Sequence, residues 1–336
     1  MREFDTAGAP HWVAQSSVQR VMRDVLLALL PGIAAHAWWF GPGIVVQVAI
    51  ATAFALGFEA AMLAARRQPL RPFMTDLSAP VTAWLFALSI PPLAPWWVTL
   101  VGIGTALVVA KHLYGGLGYN LFNPAMVGYV VVLIAFPLEL TRWLPLREAG
   151  ASFDWAGALA TIFGTGGADA IAQATPLDHA RELARSGRML GEIRADPRFG
   201  AFGGAGWEWI AATYASGGAY LLARRVIHWH VPVAVIGTVF ALTVPFWLVD
   251  PDRHADPLHH LFTGALMLGA FFIATDPVTG SATPRGRLVF GAGVAALTLA
   301  IRTWGAYPDG VAFAVLLMNA TVPLLDRYTR PRVFGT

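Results

Sequence analysis

The sequence predicts an all-α polytopic membrane protein, with about ten transmembrane helices in two inverted five-helix repeats and a periplasmic insert between them. Three observations carry this. Of 336 residues, 56% are hydrophobic and only 13% are Asp, Glu, Lys or Arg, where a soluble domain carries roughly 25% charged residues. Apolar runs long enough to cross a bilayer recur along the whole chain. Lys and Arg concentrate in every second connection between those runs, as cytoplasmic loops require.

The spans fall near 21–40, 44–65, 77–93, 96–113 and 124–143, and then near 207–223, 231–249, 258–275, 288–304 and 309–325. The N-terminus, "MREFDTAGAPHWVAQSS", lacks a signal-peptide pattern, so the first span is expected to act as the insertion signal. "PPLAP" makes a tight turn between the third and fourth spans. The run "RRQPLR", then Lys111, Arg224 with Arg225, Arg285 with Arg287, and the closing "DRYTRPR" place alternate connections inside. Both termini are then cytoplasmic. The stretch 144–206 is polar and falls outside, which divides the chain into a membrane half 1–143, the insert 144–206 and a second membrane half 207–336. Five spans on each side put related halves in opposite orientations. "LSIPP" followed by "GGLGYNLFNPAMVGY" is echoed by "IATDPV" followed by "GAYPDGVAFAVLLMN", which is the pattern of broken helices meeting near a midplane.

Polar residues inside this frame are the candidate functional residues. Glu59 lies well within the second span, where a carboxylate is expensive and faces the bundle interior. It reads either as an ion or proton relay or as a structural hydrogen-bond partner. Asp76, Lys111, Asp276 and Asp309 stand at span ends. Capping accounts for Asp76 and Asp309. Asp276 opens "DPVTGSATPRGR", where irregular polar backbone is expected to line a cavity or form an ordinary positive loop. Asn123 precedes Pro124 at a helix start, and "GGLGYN" lacks the strand and Lys-Ser/Thr of a nucleotide loop. The histidines near span ends lack the spacing of a haem pair, and the 13 Trp fit an interfacial belt. A net charge of +3 gives no argument for nucleic acid, and the absence of Cys excludes disulfides, thiol catalysis and cysteine-ligated iron–sulfur clusters within this chain. In the insert, Thr175 before Pro176 and "LDHARELARSGRML" reads, from the residues alone, as a helix-capping Thr.

Taken together, "RDVLLALLPG", "TDLSAPVTAWLFALSIPPLAPWW", "GGLGYNLFNPAMVGY", "LGAFFIATDPVTGSATPRGRLVFG" and "YPDGVAFAVLLMN" resemble, in order and over nearly the whole chain, the RnfD/NqrB family. Its members are membrane subunits of Rnf electron transport complexes and of sodium-pumping NADH:quinone reductases. The resemblance implies a flavoprotein subunit of a bacterial inner-membrane translocase. Such a complex passes electrons between NADH and ferredoxin and couples this to Na⁺ or H⁺ movement. This chain alone would have no complete activity. The implied partners are the other membrane subunits, the outer FMN-carrying subunit, membrane lipid and a flavin transferase. The implied cofactor is FMN, joined through its phosphate to a threonine in a motif like Asp-Gly-x-Ser-Gly-Ala-Thr; a second, non-covalent flavin such as riboflavin is also compatible with the family. "DAIAQAT" carries that motif onto Asp169, Ala174 and Thr175, with Ala170, Ala172 and Gln173 departing from it. "DPVTGSAT" offers a rival at Thr283, on the opposite side from an outer transferase. Glu59, Asp76, Asn123, Asp276 and Thr283 mark a region for an ion or the second flavin. Two other readings stay open: a secondary transporter or channel without redox role, and a structural anchor subunit.

Overall fold

A computed structural model describes residues 18–146, 154–164, 173–305, 307 and 309–331. Among these the chain is helical. Helix α1 (Val18–Phe40) and α2 (Gly43–Ala65) are joined by a two-residue turn. The short α3 (Leu70–Met74) leads to α4 (Ser78–Ala87). Helix α5 runs through Trp96–His112, α-helical to Gly104 and π-helical from Thr105. Helices α6 (Pro124–Ala135) and α7 (Pro137–Thr141) meet at a kink, because Pro137 has no N–H to continue the ladder. The insert holds α8 (Trp155–Phe163), α9 (Pro176–Arg185) and α10 (Leu190–Arg194). The second half comprises α11 (Trp207–Ala223), α12 (His230–Val249), α13 (Pro257–Phe262), α14 (Leu266–Leu268, continued by a π-turn over Gly269–Ile273), α15 (Pro284–Trp304) and α16 (Val311–Tyr328).

Five of these, α1, α2, α12, α15 and α16, are long and apolar enough to cross a membrane. Of the other expected spans, 96–113 and 207–223 hold shorter but continuous helices, whereas 77–93, 124–143 and 258–275 hold shorter helices interrupted by irregular or kinked chain. The third expected span is helical only to Ala87; from Leu88 to Ala94 the backbone is irregular and, apart from half-buried Ser89, buried. Buried irregular backbone survives only where its polar groups find partners. Here Gln47 of α2 supplies one: its Nε2 donates to Ala94 O and its Oε1 accepts from Thr99 Oγ1 at 2.7 Å. The eighth expected span, 258–275, is broken at Thr263–Ala265, where Gly264 takes φ +83°. A hydropathy window misses this break because Thr, Gly and Ala are small and barely polar.

The two halves repeat one device. In the first, a five-residue helix (α3) ends at Thr75, Leu77 turns left-handed at φ +64°, and α4 follows. In the second, a six-residue helix (α13) ends at Thr263, Gly264 turns left-handed, and α14 follows. Packing repeats as well: α2 lies on α3, α4 and α5 as α12 lies on α13, the π-turn after α14 and α15, and α5 lies on α6 as α15 lies on α16. The halves meet through like helices, α1 against α11 and α6 against α16. Small residues let the backbones approach closely. A Cβ on Gly217 of α11 would stand 2.2 Å from Ala28 O of α1, and one on Gly128 of α6 would stand 2.4 Å from Gly102 O of α5.

Candidate functional site

Two polar sites emerge, one at each end of the bundle. The first is built around Thr175. Asp169 of the same sequence motif lies outside the described residues; Ala174 is exposed beside Thr175. Thr175 is the N-cap of α9: its backbone is extended (φ −61°, ψ 157°), Pro176 takes the first helical position, and Oγ1 accepts from the Asp178 N–H at 3.2 Å. The hydroxyl in turn donates to Asp178 Oδ2 at 2.6 Å.

Several contacts brace α9 within the insert and tie the insert to the membrane halves. Gln173 N–H donates to Trp143 O at 2.7 Å, tying the motif to the end of α7. Arg181 Nη1 donates to Tyr307 O at 2.7 Å. His179 Nε2 stands 2.9 Å from Asp196 Oδ2, and Arg194 pairs with Asp256. Pro176 is buried against Gly204, whose N–H donates to Thr263 Oγ1 at 3.1 Å in the α13–α14 break. The loop before α11 is held by Glu208, whose carboxylate accepts from the N–H groups of Phe202 at 3.0 Å and Gly203 at 3.1 Å.

Thr175 thereby overlooks a cavity of about 350 Å³ between the halves. Its walls include Tyr129 of α6, Trp143, Trp207, Tyr307 and the Thr263–Ala265 break, with Asp178 and Asp309 as its acids. Burial pushes the Asp178 carboxyl above the usual carboxylate range; the bonds to Thr175 and the Arg181 charge oppose this, and Asp309 adds to it. Burial, then Arg185, lowers the Arg181 guanidinium. Arg181 Nε and Nη2 are shut from solvent with no hydrogen-bond partner among the described residues. At the cavity rim Arg302 Nη2 lies 3.3 Å from both Asp309 oxygens and Nη1 donates to His260 O at 2.6 Å, while Asp309 Oδ2 accepts from Ala265 N–H at 2.7 Å.

This arrangement fits a flavin mononucleotide. A hydroxyl at a helix N-terminus suits a phosphate ester. The Arg181 guanidinium, one turn further along α9, adds positive charge near that hydroxyl. The cavity volume and aromatic walls suit a flat ring, since pockets for such ligands run to roughly 300–1,000 Å³.

The second site surrounds Lys111, at the π-helical end of α5. Lys111 Nζ reaches both Glu59 oxygens, at 2.9 and 2.8 Å, and Ser78 Oγ at 2.9 Å. Glu59 and Lys111 side chains are 2% and 3% exposed, so this is an ion pair removed from solvent. His112 Nε2 stands 3.1 Å from Glu59 Oε2, and Arg66 Nη1 stands 3.3 Å from His112 Nδ1. Asp76 Oδ1 accepts from Ser78 Oγ and from Ser78 N–H, both at 2.7 Å, so it caps α4 and extends the network. A cavity of about 100 Å³ brings Ser78, Lys111, Asn123 and Asp276 together. Asn123 caps α6, and its own N–H donates across the halves to Asn319 Oδ1 at 3.1 Å. Asp276 is occupied by Val278 N–H at 3.0 Å and Thr279 Oγ1 at 2.9 Å.

Glu59, Asp76, Asn123 and Asp276 therefore share one neighbourhood. Thr283 does not: it caps α15, accepting from Gly286 N–H at 3.0 Å, and bonds Thr329. Sequence reasoning overlooked Asp178, Arg181, Thr263 and Arg302. The spacing Thr-Pro-Leu-Asp was a usable signal for Asp178, because an acid three residues after an N-cap faces the cap. Nothing local signals Thr263, whose partner Gly204 is 59 positions away, or the bond from Arg302 to His260 O, 42 positions away.

The family model described as the NQR2, RnfD, RnfE family matches residues 5–335. The chain is 48% identical over 346 aligned residues to a protein of Cronobacter sakazakii, covering 99% of each. It is 52% identical over 330 aligned residues to one of Ectopseudomonas mendocina, covering 97% of this chain and 94% of the relative. Both relatives are named as the D subunit of an ion-translocating oxidoreductase complex.

Proposed function

We propose a function for this chain from one plain premise: it belongs to the NQR2, RnfD, RnfE family. It is a polytopic membrane subunit of an ion-translocating oxidoreductase complex, working with the other Rnf subunits. Thr175 carries FMN as a phosphoester, attached by a flavin transferase, and hands electrons between the outer FMN-carrying subunit and the membrane-embedded partners. FMN, when bound, supplies redox chemistry in one- and two-electron steps; the protein supplies position and environment.

The observation that carries this reading is the Thr175 hydroxyl at the start of a braced helix, above an aromatic-walled cavity of about 350 Å³. A helix held at several points keeps a tethered carrier at a fixed distance from its partners, which matters because electron transfer depends on distance. Tyr129, Trp143, Trp207 and Tyr307 would bound the ring, and the α9 N-terminus would face the phosphate, with the Arg181 charge nearby.

The same reading takes the repeated short helix, left-handed break and helix as the centres of two inverted five-span repeats, 1–143 and 207–336, with the insert 144–206 periplasmic and both termini cytoplasmic. Glu59, with Asp76, Asn123 and Asp276 around Lys111, is its ion-linked element. That cavity, at about 100 Å³, suits an ion or water better than a second flavin.

The test is in-gel flavin fluorescence of the denatured chain, co-expressed with a flavin transferase, wild type beside Thr175→Ala. Fluorescence is expected in the wild type and absent from the variant. Fluorescence in both would move the bond elsewhere, with Thr283 next. A dark wild type beside an active transferase would overturn the covalent-flavin reading and favour a transporter or anchor subunit.

A further inference from the structure

We propose that Asp178 is the base for the attachment itself: its Oδ2 takes the Thr175 hydroxyl proton as that oxygen attacks phosphorus. The proposal rests on the flavin-attachment reading of Thr175 and deepens it, by assigning to the acceptor chain a group that would otherwise have to come from the transferase.

An ordinary N-cap uses its side-chain oxygen as an acceptor and leaves the hydroxyl hydrogen to solvent. In a capping box the acid three residues later reaches back to the cap's backbone N–H. Thr175 and Asp178 differ from both. The Asp178 N–H donates to Thr175 Oγ1 at 3.2 Å, while the Thr175 hydroxyl donates to Asp178 Oδ2 at 2.6 Å. The oxygen is held from both sides, its hydroxyl already donates to a carboxylate, and one lone pair is left for reaction. This is the nucleophile–base contact that makes a weakly nucleophilic hydroxyl competent.

The surroundings favour that role. Thr175 and Asp178 both line the cavity of about 350 Å³, so an incoming phosphate has room on their side. The charged and titratable groups facing Asp178 are Arg181 on its own helix, Asp309 from the start of α16 and Tyr129 from α6. Burial and Asp309 raise the Asp178 carboxyl, which brings its basicity closer to working pH. Arg181, one turn along the same helix and close enough to act on Asp178 through its charge, adds positive potential beside the site.

The step balances with a flavin dinucleotide as donor. Thr175 Oγ1 forms a bond to the flavin-side phosphorus, and the phosphoanhydride bond breaks. The nucleoside monophosphate departs with the bridging oxygen, and the hydroxyl proton ends on Asp178. Nothing is oxidised or reduced.

The test is a time course of loading. Full-length chain, purified in detergent without flavin, is mixed with a flavin transferase and flavin dinucleotide; samples are denatured and read by in-gel fluorescence. Wild type, Asp178→Asn, Asp178→Glu and Thr175→Ala are compared across a pH series. Asp178→Asn can still accept the hydroxyl hydrogen bond but holds no base, and is expected to load about 100-fold more slowly or worse. Asp178→Glu restores a carboxylate and is expected to load faster than Asp178→Asn. The ratio of wild-type to Asn rates should rise with pH, because only the ionised carboxylate accepts the proton. Asp178→Ser, which can bond but not deprotonate, replaces the Asn variant should that one not accumulate.

A base-free variant loading at the wild-type rate, or a ratio flat in pH, overturns the role of Asp178 while leaving attachment at Thr175 intact. Wild type loading while Thr175→Ala stays dark supports that underlying reading separately. A wild type that never loads overturns both.

Discussion

The two halves break their helices in the same way but surround the breaks with opposite chemistry. In the first half, the break at Thr75–Leu77 adjoins Lys111, whose amine meets Glu59 and Ser78, and the pair is almost wholly buried. In the second, the break at Thr263–Ala265 adjoins Arg302, whose partner Asp309 is 21% exposed and lines the cavity under Thr175. Arg302 even keeps an Nε with no partner among the described residues. The first cluster is the more buried, although Lys111 and Ser78 border a small cavity and Glu59 and His112 line another; the second faces the cavity under Thr175 through its partly exposed Asp309. A repeated backbone device can thus serve a buried charge network in one half and a cavity wall in the other. The difference is set by which side chains the flanking helices bring in.

The largest effect should come from opening the buried cluster. Glu59→Ala leaves a buried ammonium without its carboxylate, and breaking a buried pair by removing one partner costs about 3–5 kcal/mol. We expect a strong fall in the thermal midpoint in detergent, or loss of accumulation in the membrane. The pair Glu59→Leu with Lys111→Met removes both charges and should recover most of that stability. If Glu59→Ala melts with the wild type, the cluster is solvated and the contrast with the second half is wrong.

The more exposed cluster should respond less. Asp309→Asn keeps an acceptor for the Ala265 N–H but removes the charge facing Arg302. Asp309 is partly exposed, so solvent screens the pair and the loss should be about 1 kcal/mol. A loss as large as that of Glu59→Ala would show that the second cluster is as buried as the first.

How much of this was readable beforehand depended on the range of the interaction. Ten apolar stretches were legible from hydropathy alone; each contains helix, but only five hold a helix long and apolar enough to cross a membrane, and the third and eighth are broken. Caps were legible at Asn123 and Thr175, where an N-cap type precedes Pro. Thr283 precedes Pro284 in the same pattern and caps α15, a role not assigned to it from the sequence. The breaks were half legible: Pro91 and Pro92 announced the irregular stretch after α4, but nothing local announced Thr263–Ala265. Gln47 was invisible as the residue that satisfies Ala94 O, since the two are 47 positions apart. The cavity was invisible for the same reason, being assembled from α6, the insert and both sides of α13–α14. The resemblance pointed to Thr175, but only packing shows what stands beside it.

The smallest expected effect is at the breaks themselves, and it separates a conformational requirement from a spatial one. Gly264 and Leu77 are both left-handed, at φ +83° and +64°. A Cβ on Gly264 would stand 2.6 Å from Asp309 Oδ2 and 2.9 Å from Arg302 Nη2, so Gly264→Ala must displace the rim of the cavity as well as bear the strain of its backbone. Leu77 already bears that strain, roughly 1–2 kcal/mol for a non-glycine residue. Leu77→Gly removes the strain but adds about 0.5–1 kcal/mol of chain entropy, and it gives up a half-buried leucine worth about 1 kcal/mol. These terms nearly cancel, so its thermal midpoint should stay close to wild type, whereas Gly264→Ala should lower it clearly. A Gly264→Ala loss no larger than the roughly 1–2 kcal/mol of backbone strain would mean that the charged rim at Arg302 and Asp309 yields freely to an added methyl group.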